Sequence, residues 1–479
     1  MATLIFSIQM QPESRQGKIK GLFSDIREAI AGTDQDFTSG RLSRAIFLLS
    51  VPMVLEMVME SVFAIVDIWF VSRLGPDAVA AVGITESMMT VVYAIAMGIG
   101  LATTSVVSRR IGEKDPDRAA RAAFQSIITG TVISILIAVP GSIFAVDMLR
   151  LMGAGNEITG SLSAYTKIMM AGNIVIMLLF IINAVFRSSG DAAISMRVLW
   201  IANLINLILD PILIFGWGPV PAMGIKGAAI ATTTGRGIAV IYQLYILFRG
   251  SKRVRIAAAH IRINFRLIMH ILRISVGGIG QNLIATSSWI ILVRIISQYG
   301  SVAIAGYTIA MRIILFALLP SWGISNAAAT LVGQNLGAGK PERAERAVHI
   351  TGVVNMILLG VIGAIIVIFP TTFMKLFMDN ADVVQSGSTG LRVVSLGFIA
   401  YGFGMVIVNS FNGAGDTVTP TWINLFAFWM IEIPLAAFLS SRVFFSEQGV
   451  YTAIVIAESI MTITAWLFFR RGKWKLQKV

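Results

Sequence analysis

The sequence predicts an all-α polytopic membrane protein, with twelve transmembrane helices in two six-helix lobes related by a pseudo-two-fold axis along the membrane normal. Three observations lead there: apolar blocks long enough to cross a bilayer, a one-sided distribution of basic residues, and an internal repeat at one constant offset.

The chain has 479 residues, of which 56% are hydrophobic and 13% charged, against about 25% charged in an ordinary soluble domain. Too little polar side chain remains to cover a water-soluble surface. Apolar blocks of about 20 or more residues cross a ~30 Å hydrocarbon core at ~1.5 Å rise per residue. With no cysteine in the chain, disulfides, thiol nucleophiles and cysteine metal sites are excluded. His260, His270 and His349 are scattered in or beside basic loops and form no metal-ligand pattern.

Residues 1–40 read as an amino-terminal tail without the uninterrupted apolar core and cleavage site of a signal peptide. Within it Gly17 to Ala31 suits an interfacial amphipathic helix, with a solvated tail as the alternative. The predicted spans are 45–72, 79–107, 121–147, 161–186, 194–216 and 225–248 in the first lobe (41–249). A basic linker, 250–266, leads to spans 268–297, 303–332, 346–370, 386–411, 418–441 and 449–470 in the second lobe (267–471), followed by a basic tail, 472–479.

Basic residues gather in the loops after even-numbered spans: Arg109, Arg110, Lys114, Arg118 and Arg121 after the second, Arg253, Arg255 and Arg262 after the sixth, and Lys340, Arg343 and Arg346 after the eighth. The positive-inside rule then predicts an integral inner (plasma) membrane protein with both termini cytoplasmic. The net charge of +13 is accounted for by an anionic lipid surface and calls for no nucleic-acid partner.

The most specific signal is the repeat. At an offset of 225, Ser50-Val51 falls on Ser275-Val276, Gly75 on Gly300, Ala78 on Ala303, Gly112 on Gly337, Phe186 on Phe411, Gly190-Asp191 on Gly415-Asp416 and Gly224 on Gly449. Each half holds six spans, so the halves run parallel and enclose a central cleft. Rocking of such lobes gives alternating access to a site between them.

The runs Asp36-Phe-Thr-Ser-Gly40, Leu49-Ser-Val-Pro52 and Val66-Asp-Ile-Trp-Phe-Val-Ser-Arg-Leu-Gly75 resemble the opening of multidrug and toxic compound extrusion (MATE) transporters. Phe186-Arg-Ser-Ser-Gly-Asp191, its echo Phe411-Asn-Gly-Ala-Gly-Asp416, Leu209-Asp-Pro211 and Gly224-Ile-Lys-Gly-Ala-Ala-Ile-Ala-Thr232 extend the likeness over nearly the whole chain after about residue 36. The resemblance implies export of cationic or amphipathic organic compounds in exchange for entering Na⁺ or H⁺, with no cofactor. Acids in the first lobe resemble the branch related to DNA-damage-inducible protein F, which places its cation site between spans 1, 5 and 6. The branch with acids on spans 7 and 10 is matched here only by Gln281, Asn282 and Asn409.

A charge in the bilayer interior costs at least ~2.5–3.5 kcal/mol, so intramembrane acids are candidates for function. Asp67 lies eight residues before Gly75 and Asp210 six before Gly216, so both sit about 9–12 Å below their outer helix ends. Thr232, eight residues into span 6, reaches a similar depth, and Asn203, Asn206 and Asp210 share a face of span 5. This all-oxygen set suits Na⁺ at Asp67, Asp210 and Asn206; two close carboxylates also suit a shared proton. A structural reading is open too, with Asp67 paired to Arg73 and Asp210 kinking its helix at Pro211.

Glu56, Glu60 and Glu86 in the first lobe are candidates for lining the cleft, with pairing to a cation such as Arg236 or Arg312 as the alternative, and Glu432 and Glu458 in the second lobe are candidates for attracting cationic substrates. Pro52 permits a kink in the first helix, a role the resemblance associates with cation binding. No phosphate-loop motif supports an ATP-driven pump, and Gly277-Gly-Ile-Gly280 reads as membrane-helix packing. A lipid-linked oligosaccharide flippase, an intramembrane lipid enzyme and a channel are the remaining rivals, and nothing demands more than a monomer.

Overall fold

Pro76 and Pro116 open helices because a helix's first turn needs no proline N–H, and Gly190 and Gly415 close them in the left-handed region at φ +95° and +89°. In the computed structural model, which describes residues 15–155, 158–250 and 253–479, such breaks fall where the hydropathy placed them. Residues 1–14 of the predicted tail and 251–252 of the linker lie outside the described residues. Among those described, the secondary structure is helical apart from the bridge Trp217–Val220.

An amino-terminal helix α1 (Arg15–Ala31) precedes the first lobe. That lobe contains α2 (Leu42–Ser72), α3 (Pro76–Gly112), α4 (Pro116–Ile143), the short α5 (Ala145–Leu151), α6 (Ser163–Ala171), α7 (Asn173–Ser189), α8 (Ala192–Phe215) and α9 (Ile225–Arg249). The second lobe has α10 (Phe265–Ile296), α11 (Ser301–Gly337), α12 (Pro341–Ile368), α13 (Pro370–Lys375), α14 (Ala381–Leu396), α15 (Phe398–Ala414), α16 (Val418–Asn424), α17 (Ile433–Phe438) and α18 (Gln448–Arg470). Among the described residues, nine helical stretches are long and apolar enough to span a bilayer singly. Two more spans are the bent pairs α6–α7, at 41°, and α14–α15, at 56°. With α9, whose Thr232–Thr234 and Arg236 lower its hydropathy, the twelve predicted spans are complete.

The repeat survives as backbone geometry. Gly172 and Gly397, one offset of 225 apart, interrupt the two bent spans, and Lys114 and Gly339, again one offset apart, both have positive φ. Across the lobe boundary α3 crosses α10 and α11 crosses α2. A Cβ on Gly98 would lie 2.7 Å from the Ile279 nitrogen, and one on Gly323 would lie 2.7 Å from the Met53 carbonyl. These two crossings are also related by the repeat. From Gly98 to Gly112 the lobes stay in contact, a length of about 21 Å. Toward the other end Glu86, Ser87, Thr308 and Arg312 are exposed. The lobes are therefore closed at the end bearing the basic loops, and the cleft opens at the opposite end.

Residues 33–40 and 473–479 are not loose tails, contrary to the sequence reading. Lys340 Nζ donates to the Thr38 carbonyl at 2.9 Å and Arg343 to those of Ser39 and Gly40 at 2.7 and 3.0 Å, while Arg253 from the linker donates to those of Gln35 and Thr33 at 2.6 and 3.2 Å. Burial raises the Asp36 carboxyl, but hydrogen bonds from Thr38 and the charge of Lys114 outweigh it and hold it below the usual carboxylate value. At the other terminus Arg109 and Arg110 donate to the Gln477 and Val479 carbonyls at 2.9 and 2.6 Å, and Trp474 is buried. Both segments thus bridge the lobes at the closed end. Phe37, 0% exposed, anchors the first of them, with the Arg253 guanidinium 4.8 Å above its ring. Phe37→Ala is expected to destabilise the protein by about 3 kcal/mol, read as a lower melting midpoint in detergent; an unchanged midpoint would show the segment to be passively attached.

Candidate cation site and inter-lobe cleft

Helix periodicity places Asn203, Asn206 and Asp210 on one side of α8, and the close packing of α8 on α9 brings Thr232 to them. Asn206 Nδ2 donates to Thr232 Oγ1 at 3.1 Å and to Asp210 Oδ1 at 3.3 Å. Asp210 is 0% exposed and its Oδ2 has no hydrogen-bond partner. Asp67 on α2 lies within electrostatic range of Asp210, and its Oδ1 is likewise enclosed without a partner. Two such acids within electrostatic range, each with a partnerless enclosed oxygen, are costly unless a cation or proton neutralises them. The residues therefore fit a small cation or a shared proton. Among the described residues, no group of three His, Cys, Asp or Glu forms a metal cluster; the set is two carboxylates plus amide and hydroxyl oxygens.

Four predicted members, Asp67, Asp210, Asn206 and Thr232, are brought together. Asn203 stands beside them, buried, with its amide donating to the Met59 carbonyl at 3.4 Å. Arg73 does not pair with Asp67; its guanidinium lies 3.9 Å over the Trp69 ring. Pro52 is buried within α2, which runs unbroken from Leu42 to Ser72.

The acids proposed for the cleft divide. Glu86 is exposed in the open part, within electrostatic range of Arg312 from the other lobe. Glu60 is partly exposed and 3.5 Å from Arg236. Glu56 and Glu432 do not line a cleft, for each is 1% exposed. Glu56 is paired with Arg187 at 2.8 Å, a partner on α7 that sequence did not suggest, and Glu432 accepts from Ser288 at 2.6 Å. Glu458 sits half-buried near Glu432 inside the second lobe. Sequence reasoning missed Tyr93 and Tyr165. Arg236, considered only as a counter-ion, donates to Tyr93 Oη at 3.3 Å, and Tyr165 is buried within electrostatic range of Asp67. A lone arginine in the middle of a predicted span was the available signal.

Two parallel six-helix lobes, a cleft between them and buried acids beside it define a bilobed membrane transporter. The profile of the MatE family matches residues 52–212 and 279–438, one segment in each lobe, and the chain belongs to that family. It is 25% identical over 441 residues to the "Probable multidrug resistance protein YoeA" of Bacillus subtilis, covering 91% of this chain and 95% of that protein. It is 26% identical over 436 residues to the "FAD transporter" of Shewanella oneidensis, covering 90% and 95%. A solved structure described as the outward-facing conformation of a multidrug resistance MATE family transporter superposes with a TM-score of 0.86 at 25% identity, covering 92% of this chain and 98% of that one.

Proposed function

We propose that this protein is a secondary active multidrug exporter that expels cationic or amphipathic organic compounds in exchange for Na⁺ or H⁺ by alternating access. The observation that carries this reading is the pair of partnerless carboxylate oxygens on Asp67 and Asp210 beside a cleft open at one end. Entering cation is cargo here, and Asp67, Asp210, Asn206 and Thr232 are the groups assigned to hold it. Glu60 and Glu86 supply negative potential toward the cleft for a cationic substrate. Acids on α2 and α8, with only the amides Gln281, Asn282 and Asn409 on α10 and α15 where the other branch has acids, favour the branch related to DNA-damage-inducible protein F. The basic end is assigned to the cytoplasm of an inner membrane, with both termini there, which makes this conformation outward-facing. A monomer surrounded by lipid suffices for the cycle.

The test is efflux of a cationic dye from proteoliposomes under Na⁺ and H⁺ gradients imposed separately. One gradient is expected to accelerate efflux at least about ten-fold over its absence, since a ten-fold ion gradient carries ~1.4 kcal/mol per ion. Efflux indifferent to both gradients would overturn the antiport reading.

A further inference from the structure

The proposed cation site leaves the buried acid Glu56 unused. Glu56 is 1% exposed on α2; its Oε1 accepts from Arg187 Nη1 at 2.8 Å and from Asn183 Nδ2 at 3.3 Å, and its Oε2 has no partner. Gln243 of α9 continues the chain by donating to Asn183 Oδ1 at 2.6 Å. Arg187 forms part of the wall of an inter-lobe cavity of about 10 Å³, together with Thr104, Asn326, Thr330, Asn409 and Asn412. That volume admits a single water.

The internal repeat supplies its own control. Offset by 225, Gln281 occupies the place of Glu56 and Asn412 that of Arg187. Gln281 Nε2 donates to Asn412 Oδ1 at 3.0 Å, and Asn412 Nδ2 donates back to Gln281 Oε1 at 3.1 Å. The second lobe thus builds the same bridge between its first and fourth spans from neutral amides. Packing does not require charge at this position, and a buried ion pair is no more stabilising than a neutral replacement. Charge in the first lobe calls for another reason.

We propose that Glu56 is a proton-binding site of the transport cycle, separate from the Asp67–Asp210 site, with Arg187 as its counter-charge, and that its protonation favours opening of the closed end. The proposal rests on the alternating-access reading above. One proton from hydronium adds to the free Oε2, forming an O–H bond, releasing one water and leaving Glu56 neutral. The positive charge of Arg187 then lacks its partner beside a cavity with room for one water. Solvating it requires the lobes to part there. The carbonyls of Arg187 and Ser188 accept from Thr330 Oγ1 at 3.4 Å and Gln334 Nε2 at 2.8 Å on α11, so the strain falls on the inter-lobe contact itself. A metal cation does not fit: one free oxygen is no ligand set, and the adjacent guanidinium repels it.

Among the described residues, the charged groups within electrostatic reach of Glu56 are Arg187 on α7 and Glu60 on α2 itself, while α9 presents only the neutral Gln243 through Asn183. In the closed state burial disfavours the charge of Glu56 and the Arg187 guanidinium at 2.8 Å favours it. When the lobes part, Arg187 turns to the widened cleft while Glu56 stays inside its lobe, burial acts alone, and the open state binds the proton more tightly. Lowering the pH therefore raises the open population.

The chain contains no cysteine, so Arg121→Cys and Arg346→Cys, exposed positions one offset apart on α4 and α12, accept spin labels that report separation of the closed end. On the full chain in lipid nanodiscs, acidification from about pH 8 to about pH 5 is expected to raise the open fraction at least about five-fold. Glu56→Gln with Arg187→Asn, which copies the second lobe's amide pair, is expected to hold that change below about two-fold. Glu56→Gln alone, a mimic of the protonated acid, is expected to show the raised open fraction at both pH values. A pH response like that of the parent in either variant overturns the proposal, as does failure of both to give monodisperse protein, since the neutral pair would then be structurally insufficient. Asp67→Asn, labelled in the same way, should keep the pH-dependent opening. If dye efflux ignores both ion gradients while the label response persists, the antiport reading fails and the Glu56 site stands.

Discussion

Asp210→Asn should remove gradient-driven dye efflux, lowering its initial rate by at least about ten-fold, while the purified protein melts no lower than the parent. The split follows from the state of the side chain. Asp210 is 0% exposed, Asn206 satisfies one of its oxygens at 3.3 Å, and the other has no partner. Asparagine keeps the shape but cannot hold a cation or exchange a proton. Removing a buried charge that lacks a neutralising partner does not cost fold stability and can raise it. A merely structural Asp210 would give the reverse result, a lower melting point with efflux kept. Asp67→Asn should act in the same direction, because in the proposed site the two carboxylates share one cation. Efflux within about two-fold of the parent in either variant, a difference worth only ~0.4 kcal/mol, would remove the site from the mechanism.

Gly323→Val should abolish transport for a different reason. At Gly323 α11 crosses α2 so closely that any Cβ would lie 2.7 Å from the Met53 carbonyl atoms and 2.8 Å from the Val54 nitrogen. Those are backbone atoms, and no side-chain rotation relieves them. The lobes must separate, so the closed end cannot seal and the conformation with that end closed becomes inaccessible. Spin labels at Arg121→Cys and Arg346→Cys should show a widened closed end at every pH, and dye efflux should fall to the level of empty liposomes. The repeat-related Gly98→Val should do the same at the crossing of α3 and α10, where the Ile279 nitrogen is the obstacle. Normal efflux in both variants would mean that tight contact at these crossings is not part of the cycle.

Much of the fold was legible because its signals are local or repeat at fixed spacing. Span existence follows from apolar run length, and loop sidedness from the basic residues after α3, α9 and α11. The offset of 225 that aligns Gly112 with Gly337 in sequence also aligns the interruptions at Gly172 and Gly397 in three dimensions. At the site, helical spacing was enough to group Asn206 with Asp210, whereas the contact with Thr232 and the approach of Asp67 come from the packing of α9 and α2 on α8. Pairing across helices was not legible. Glu56 and Glu60 sit one turn apart on α2, yet the first meets Arg187 on α7 and the second Arg236 on α9. Nothing in the spacing of either acid distinguishes those partners. Glu432 read as a cleft acid because burial depends on which helices enclose α17's neighbourhood, a property of the assembled lobe.

By itself the sequence determined the number of spans and the duplicated lobes, because each rests on hydropathy or on a fixed offset along the chain. Only the tertiary structure decided which end of the cleft is closed, how the two terminal segments stitch that end together, and which buried carboxylate oxygens are left without partners. Those properties depend on distances between helices far apart in the chain, which are set by close backbone crossings such as Gly98 on Ile279 and Gly323 on Met53.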